Sequence, residues 1–297
     1  MSERNGYNSS IYRIRGREYY VFRMLWKEIE QIFNRSIRYS FSKRKMLFLF
    51  PVLAVCGLLV VFCRALGVGA SEWVALSLTF LPIFLCSSVL LATGVVLARV
   101  YYQEVKQLKV SYLGVISQTW ELLIGVSYLT MPLILAYLLL WMMMGFFYLL
   151  REIPGLGQFL HVILAFGPFL LVLGSLILTG INLLLLFFVT PHVSFSTASR
   201  FKLAEEVIQR LNAYPLMNIL LFLIAVIPLA FVAGLLSLAA ALTGASFLMG
   251  THTLAVAMQW FFIMIPFSAL LAPGVVFFFN FAVESYVLLH KKAIASK

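Results

Sequence analysis

The sequence has few charged residues and no aspartate. Its 297 residues include 22 Lys and Arg against 11 acidic residues, all of which are glutamate. Only 11% of the residues are charged and 63% are hydrophobic, whereas a soluble domain has about 25% charged and about 45–50% apolar residues. A water-soluble fold of this length could not bury so much apolar surface. The composition therefore predicts an integral membrane protein, and it excludes mechanisms that need an aspartyl nucleophile or Asp-bound magnesium.

Cysteine and histidine are too few and too scattered to indicate a metal or redox centre. Cys56, Cys63 and Cys86 all lie inside apolar runs, and the first two would share a helix face about 10 Å apart, too far for a disulfide. No two of the four histidines bracket a glutamate at the spacing of a zinc protease. The Gly-x-Ser-x-Gly and P-loop sequences are missing as well. We therefore expect no catalytic residue, no cofactor and no metal ion.

Six apolar runs are each long enough to cross a bilayer, which takes about 20 helical residues. They lie near residues 46–66, 73–98, 126–150, 159–189, 216–240 and 254–288. The predicted fold is all-α, a six-helix transmembrane bundle over residues 46–290. A basic segment precedes it at residues 1–45, with an amphipathic helix at about 19–40, and a short basic tail follows it at residues 291–297.

The basic residues are divided unevenly between the two sides of this predicted bundle. Twenty of the 22 lie in the N-terminal segment, the second and fourth connections and the C-terminal tail, whereas Arg64 and Arg151 lie on the other side. The positive-inside rule then predicts that both termini are cytoplasmic, in the inner membrane if the protein is bacterial. Basic residues beside apolar runs favour anionic lipids of the inner leaflet as partners, rather than nucleic acid.

Proline, serine and glycine recur at matching places in the predicted helices. Each outgoing helix carries a proline, and each returning helix carries a glycine five or six residues after a serine. These residues are Pro51, Pro132 and Pro228, Ser88, Ser175 and Ser268, and Gly94, Gly180 and Gly274. We interpret the pattern as three kinked hairpins, because proline bends a helix and small residues let helices approach closely. The alternative, chance recurrence of residues that are common in membrane helices, stays open.

Amphipathic segments precede the three predicted hairpins, near residues 19–40, 111–123 and 201–212. In the first segment, Ile29, Ile32 and Phe33 share one helical face and Lys27 and Arg38 another. A period of 3.6 residues with one apolar face is typical of an amphipathic helix. We expect these helices to lie along the inner leaflet, and for the first one the alternative is packing on a partner protein.

Repeated units of an amphipathic helix and a membrane hairpin, with a proline in the outgoing helix, resemble several bacterial membrane protein families of unknown function. They are also similar in pattern to the membrane domain fused to some glycerophosphodiester phosphodiesterases. The resemblance covers roughly residues 19–290 and implies a membrane-embedded helical fold. It implies no functional residue, because no diagnostic motif accompanies it and these 297 residues contain no soluble phosphodiesterase domain.

Polar residues on the predicted returning helices are the candidates for interactions at membrane depth: Asn182, Asn280 and Glu284. A buried asparagine can hydrogen-bond between helices, for about 0.6 kcal/mol on average. Glu284 lies near the cytoplasmic end of the sixth predicted helix, where we expect it to pair with Lys291 or Lys292. With so few ionisable groups in the apolar runs, nothing in the sequence indicates proton or ion coupling.

Three functions are compatible with these features. The first is a non-enzymatic protein with a structural, assembly or transport-accessory role in the bilayer. The second is a transporter or permease subunit for a small or amphiphilic, lipid-like solute. The third, an enzyme acting on lipid head groups, rests only on acidic residues and one histidine predicted at the cytoplasmic face. These residues are Glu121, His192, Glu205, Glu206 and Glu284.

Overall fold

The computed structural model describes residues 26–108, 114–115, 117, 130–151, 166–195, 215–247 and 253–295. These residues form seven helices of 15 residues or more and, among themselves, no strand. The helices are α1 (residues 26–40), α2 (Lys43–Gly67), α3 (Glu72–Val105), α4 (Met131–Arg151), α5 (Phe166–Phe195), α6 (Pro215–Phe247) and α7 (Thr253–Ala295). The all-α prediction is confirmed for the described residues.

Six of these helices, α2 to α7, are long and apolar enough to cross a membrane. This confirms the predicted number of membrane-length helices and is compatible with a multi-pass membrane protein. Several helices extend beyond the predicted apolar runs; α3, for example, ends at Val105 rather than near residue 98. The reason is that hydropathy marks only the apolar part of a helix, whereas the backbone hydrogen bonds continue into polar turns. The predicted amphipathic segments near 111–123 and 201–212 lie almost entirely outside the described residues.

The helices α2 to α7 alternate in direction, so the bundle has two distinct ends. At one end, which we name the basic end, α1 and the start of α2 meet the last turns of α3, α5 and α7. There Lys45 of α2 contacts Glu104 of α3. The other end, which we name the turn end, holds the turn between α2 and α3. There Trp73 of α3 stacks on Tyr148 of α4, with ring centroids 6.3 Å apart.

Helix α7 occupies the centre of the basic end. All eleven residues from 275 to 285 are buried, because α7 contacts α2, α3, α5 and α6 and is also covered by α1. Phe278 packs edge-on against Phe187 of α5 at 5.6 Å, and Phe187 packs in the same way against Phe222 of α6 at 5.7 Å. A stretch of helix that is apolar almost all round is typical of such an enclosed position.

Two glycines bring α2 and α3 close to α7. A methyl group added at Gly94 would overlap the ring of Phe279, and one added at Gly57 would overlap the side chain of Met264. Small residues permit such contacts because dispersion between helices, rather than exclusion of water, drives packing in an apolar solvent. Gly94 belongs to the predicted repeat, and Gly57 does not.

The copies of the predicted repeat differ in how their residues pack. Among the described residues, an added methyl group would meet no atom within 4 Å at Gly180 and would make only ordinary contact at Gly274. Pro51 and Pro228 lie inside α2 and α6, whereas Pro132 is the second residue of α4, where proline fits a helix without a kink. Close approach at a repeat glycine is therefore found in the first copy, and the repeat as a whole stays a prediction.

Helix α1 packs its apolar face on the rest of the chain. Ile29 and Ile32 are buried in the same core as the centre of α7. Phe33 contacts the rings of Phe277 and Phe281 edge-on, at centroid distances of 5.3 and 6.2 Å. The partner of this face is the chain's own bundle, which a period of 3.6 residues alone cannot distinguish from lipid or from another protein.

Candidate functional site: a buried charged cluster at the basic end

Charged side chains from four helices meet at the basic end. Arg35 of α1 pairs with Glu284 of α7, with 3.3 Å between Nη1 and Oε1. Lys45 of α2 pairs with Glu104 of α3, with 2.5 Å between Nζ and Oε2. A tyrosine and an asparagine link the two pairs. The charged cluster, as we name it, consists of Arg35, Lys45, Tyr101, Glu104, Asn280 and Glu284.

Lys45 is the most deeply enclosed charge in the cluster, with a side-chain exposure of 0%. It lies in the first turn of α2, four and eight residues before the buried Leu49 and Leu53, so the three side chains share one helix face. Its Nζ donates to Asn280 Oδ1 at 3.5 Å and lies 4.9 Å from the centroid of the Tyr101 ring. A buried ammonium is tolerated because a carboxylate, an amide oxygen and an aromatic face replace its water.

Glu284 is held from two sides. The phenol of Tyr101 donates to Oε1 at 2.6 Å, and the Arg35 guanidinium donates to the same oxygen at 3.3 Å. The Glu284 side chain is 8% exposed and that of Arg35 is 47% exposed. The pair therefore lies at the boundary between the bundle and its surroundings, with the carboxylate inside and the cation at the rim.

Asn280 connects α7 to α1 and α2 at once. It is 1% exposed, and its Nδ2 donates to the backbone oxygen of Ser36 at 3.5 Å and to Ser40 Oγ at 3.4 Å. Its Oδ1 accepts from Lys45. Both ends of the amide are thus used, which is the condition for burying such a group without a large cost.

The structure separates the three polar residues that the sequence nominated. Asn280 and Glu284 belong to the charged cluster, whereas Asn182 is buried on α5 and is not a member of it. The expected pairing of Glu284 along its own helix is wrong for Lys291, which is exposed; the side chain of Lys292 lies outside the described residues. The partners come instead from α1 and α3, because Glu284 points into the bundle.

The serines of the predicted repeat make three different hydrogen bonds. Ser88 Oγ on α3 bonds with Thr130 Oγ1, just before α4. Ser268 Oγ on α7 donates to the backbone oxygen of Leu53 on α2 at 3.4 Å. Ser175 Oγ donates to the oxygen of Leu171 one turn earlier in its own helix. Two of the three serines therefore join separate elements, and one does not.

Four members of the charged cluster were missed by the sequence interpretation: Arg35, Lys45, Tyr101 and Glu104. The basic ones were grouped with the flanking charges that orient a bundle. One signal was available for Lys45, because it continues the stripe of Leu49 and Leu53 at helical spacing. That stripe says only that the residue shares a face with apolar neighbours, and it does not say that the face meets α7.

The arrangement favours a structural role, in which the cluster holds helices together, over a catalytic role. Each carboxylate of the cluster already has a cation within 3.3 Å, and Glu284 also accepts from a phenol. A general base, by contrast, must reach a substrate proton. Breaking one partner of a buried ion pair costs about 3–5 kcal/mol. The cluster therefore ties α1, α2, α3 and α7 together.

His192, one of the residues proposed for a head-group enzyme, is buried on α5 and contacts the ring of Tyr286 edge-on at 5.8 Å. Glu121, Glu205 and Glu206 lie outside the described residues. Within the described part of the chain, no three His, Cys, Asp or Glu side chains are grouped so as to hold a metal ion. Comparison with protein families, curated protein sequences and solved structures finds no match to this chain.

Proposed function

We propose that this chain is a non-enzymatic, multi-pass membrane protein with a structural, assembly or transport-accessory role in the bilayer. The observation that carries the proposal is the charged cluster, in which the charges of Arg35, Lys45, Glu104 and Glu284 are used to bind helices to one another. A transporter coupled to ions or protons would keep such groups along a solute path. In this chain the charged cluster instead stabilises the packing of an additional helix, α1, on the basic end of the bundle.

The proposed placement has the basic end in the cytoplasm and the turn end outside, in an inner membrane if the protein is bacterial, with three hairpins formed by α2–α3, α4–α5 and α6–α7. Contacts within each of these helix pairs support the hairpins. The gathering of α1 and the last turns of α3, α5 and α7 at one end supports a single basic side. The positive-inside rule then assigns that side.

Helix α1 also supports an interfacial position, because it has three faces. One face is buried on the bundle. A second face is exposed and apolar, with Trp26 52%, Ile37 37% and Phe41, just beyond the helix, 65% exposed. The third face is exposed and polar, with Lys27 and Arg38. A helix on a leaflet surface puts aromatic side chains among the acyl chains and basic ones among head groups. We propose anionic lipids as its partners; the basic segment before α1 is the candidate site for a protein partner.

Cysteine mapping tests this placement. Single cysteines at positions 70, 155 and 247, in a chain whose native cysteines are replaced by serine, should react with an impermeant maleimide from outside the cell. A cysteine at position 38 should react only after the membrane is permeabilised. Labelling of position 38 from outside, or of the other three only after permeabilisation, contradicts the proposed orientation.

The second candidate function, movement of a lipid-like solute, is favoured by an apolar groove along α2, α3 and α7. Vesicles that contain the purified chain and a fluorescent phospholipid separate the two functions. A structural role predicts that an impermeant quencher removes the fluorescence of the outer leaflet only, as in protein-free vesicles. Loss of fluorescence from both leaflets would replace the first proposal by the second. Unchanged head groups in the same vesicles, measured by mass spectrometry, are expected because the chain is proposed to be non-enzymatic.

A further inference from the structure

A groove of about 620 Å³ runs along the bundle between α2, α3 and α7. Its described lining consists of aliphatic and aromatic side chains, one thioether and two thiols; Val55, Phe62, Cys86, Val89 and Phe261 represent the three helices. The volume lies within the range of about 300–1,000 Å³ that is usual for small-molecule sites. Among the described residues the lining has no charged side chain, so the part of a ligand that fits against them is a hydrocarbon.

The groove has the length and direction of one acyl chain in one leaflet. On α2 it extends from Val55 to Ala65, which is about 15 Å at 1.5 Å per helical residue. That is half of the roughly 30 Å hydrocarbon core of a bilayer. On α7 it is lined from Ala257 to Phe261, near the start of the helix. The groove therefore lies in the half of the bundle nearer the turn end and stops near the middle of the bundle.

A cation, Arg64, lies beside the part of the groove nearest the turn end. Arg64 is exposed and precedes Ala65, the last groove residue on α2. Its guanidinium carbon lies 5.1 Å from the centroid of the Trp260 ring, which holds it beside the start of α7. Arg64 is also one of only two basic residues that the sequence predicts to lie away from the cytoplasmic side. A guanidinium that stacks on an aromatic ring keeps its N–H groups available for a phosphate.

We propose that the groove binds a phospholipid from the leaflet at the turn end, with one acyl chain between α2, α3 and α7 and its phosphate on Arg64. Charge complementarity favours this occupant. An apolar groove with an arginine beside one end matches a hydrocarbon chain that ends in an anionic group. The inference rests on the proposed placement of the bundle in a bilayer. It deepens that proposal by giving the protein a specific lipid at the turn end, in addition to the lipids around α1.

The test uses the full chain in a mild detergent with two added lipids that carry the same acyl chains, phosphatidylglycerol and diacylglycerol. Native mass spectrometry should detect more retained phosphatidylglycerol per chain than diacylglycerol. Val89→Trp should remove one phosphatidylglycerol per chain because the indole fills the groove, whereas any lipid held at α1 remains. Arg64→Gln should weaken binding in the groove about tenfold, as expected when one charge-assisted hydrogen bond is lost. Leu139→Trp, on an exposed side chain of α4 outside the groove, is the matched control and should retain the lipid.

Equal retention by Val89→Trp and Leu139→Trp would show ordinary boundary lipid and overturn the proposal. Equal retention of the two lipids, or no effect of Arg64→Gln, would overturn the assignment of Arg64 to the phosphate. Near-native unfolding of each variant in the same detergent shows that a loss is not a folding defect. If the groove binds no lipid, the cysteine labelling pattern is unchanged. If the bundle is oriented differently, the labelling pattern changes whether or not lipid is retained.

Discussion

The two halves of α7 differ sharply in their surroundings. From residue 275 to residue 285 every side chain is buried, including Asn280 and Glu284. Earlier in the same helix, Met258 is 51%, Phe262 61% and Leu270 58% exposed. Residues 275–285 of α7 are thus central in the bundle at the basic end, whereas the earlier part of the helix lies at the periphery towards the turn end.

The reason for the difference lies in the neighbours rather than in α7 itself. At the basic end α1 adds a further helix, and Gly94 lets α3 come into contact with Phe279. Towards the turn end the packing against α2 and α3 leaves the apolar groove open. The charged cluster lies in the enclosed half, where protein groups replace the water that a buried charge loses. The open half suits apolar surface that lipid can cover.

The largest loss of stability is expected when Lys45, in the enclosed part of the bundle, is replaced. Lys45→Met removes the cation beside Glu104, which leaves a carboxylate without its partner, and should lower the free energy of unfolding by about 3–5 kcal/mol. Denaturant titration in mixed micelles measures the change. The matched control is Lys43→Met, two residues earlier and exposed, which should be almost neutral. The double change Lys45→Met with Glu104→Gln should recover part of the lost stability. Unchanged stability in Lys45→Met would show that the cluster does not hold the helices together.

A smaller loss should follow when the approach of α3 to α7 is blocked. Gly94→Ala places a methyl group against the ring of Phe279, and overpacking of this kind costs about 1–3 kcal/mol. Gly180→Ala is the control from the same predicted repeat, since no atom of the described part of the chain lies within 4 Å of its added carbon. It should be neutral or slightly stabilising, because alanine favours the helix over glycine. Equal losses at both positions would mean that the tight contact at Gly94 does not determine the packing.

Loss of the ion pair between Arg35 and Glu284 should destabilise the protein less than loss of the pair between Lys45 and Glu104. Glu284→Gln keeps an oxygen that can accept from Tyr101 but removes the charge opposite Arg35, whose side chain is 47% exposed. Because solvent screens the outer partner, a loss of about 1 kcal/mol is expected. A double-mutant cycle with Arg35→Met isolates the pair. A coupling as large as that between Lys45 and Glu104 would show that both ion pairs are equally enclosed.

The number of membrane-length helices could be predicted because hydropathy depends only on the chain itself. The charged cluster could not, because it depends on which surfaces meet. The stripe of Ile29, Ile32 and Phe33 has the same pattern whether it faces lipid or protein. Lys45 has the same sequence context as the flanking lysines that stay outside a bundle, and its burial follows from the position of α7. Asn182 and Asn280 are both asparagines in apolar runs, and the sequence does not show that Asn280 meets α1.

The smallest effect should come from the open half of α7. Phe262 is 61% exposed there, so Phe262→Ala removes few contacts with protein, and lipid can occupy the space. A change within about 0.5 kcal/mol is expected, as for substitutions away from packed features. Phe278→Ala, in the enclosed half of the same helix and packed on Phe187, serves as the partner experiment and should cost about 3–5 kcal/mol. The comparison holds only if the two phenylalanines differ by several kcal/mol in the same micelles. Similar losses at both would mean that the turn end is covered by another protein surface rather than by lipid, and that the groove beside it is an interface.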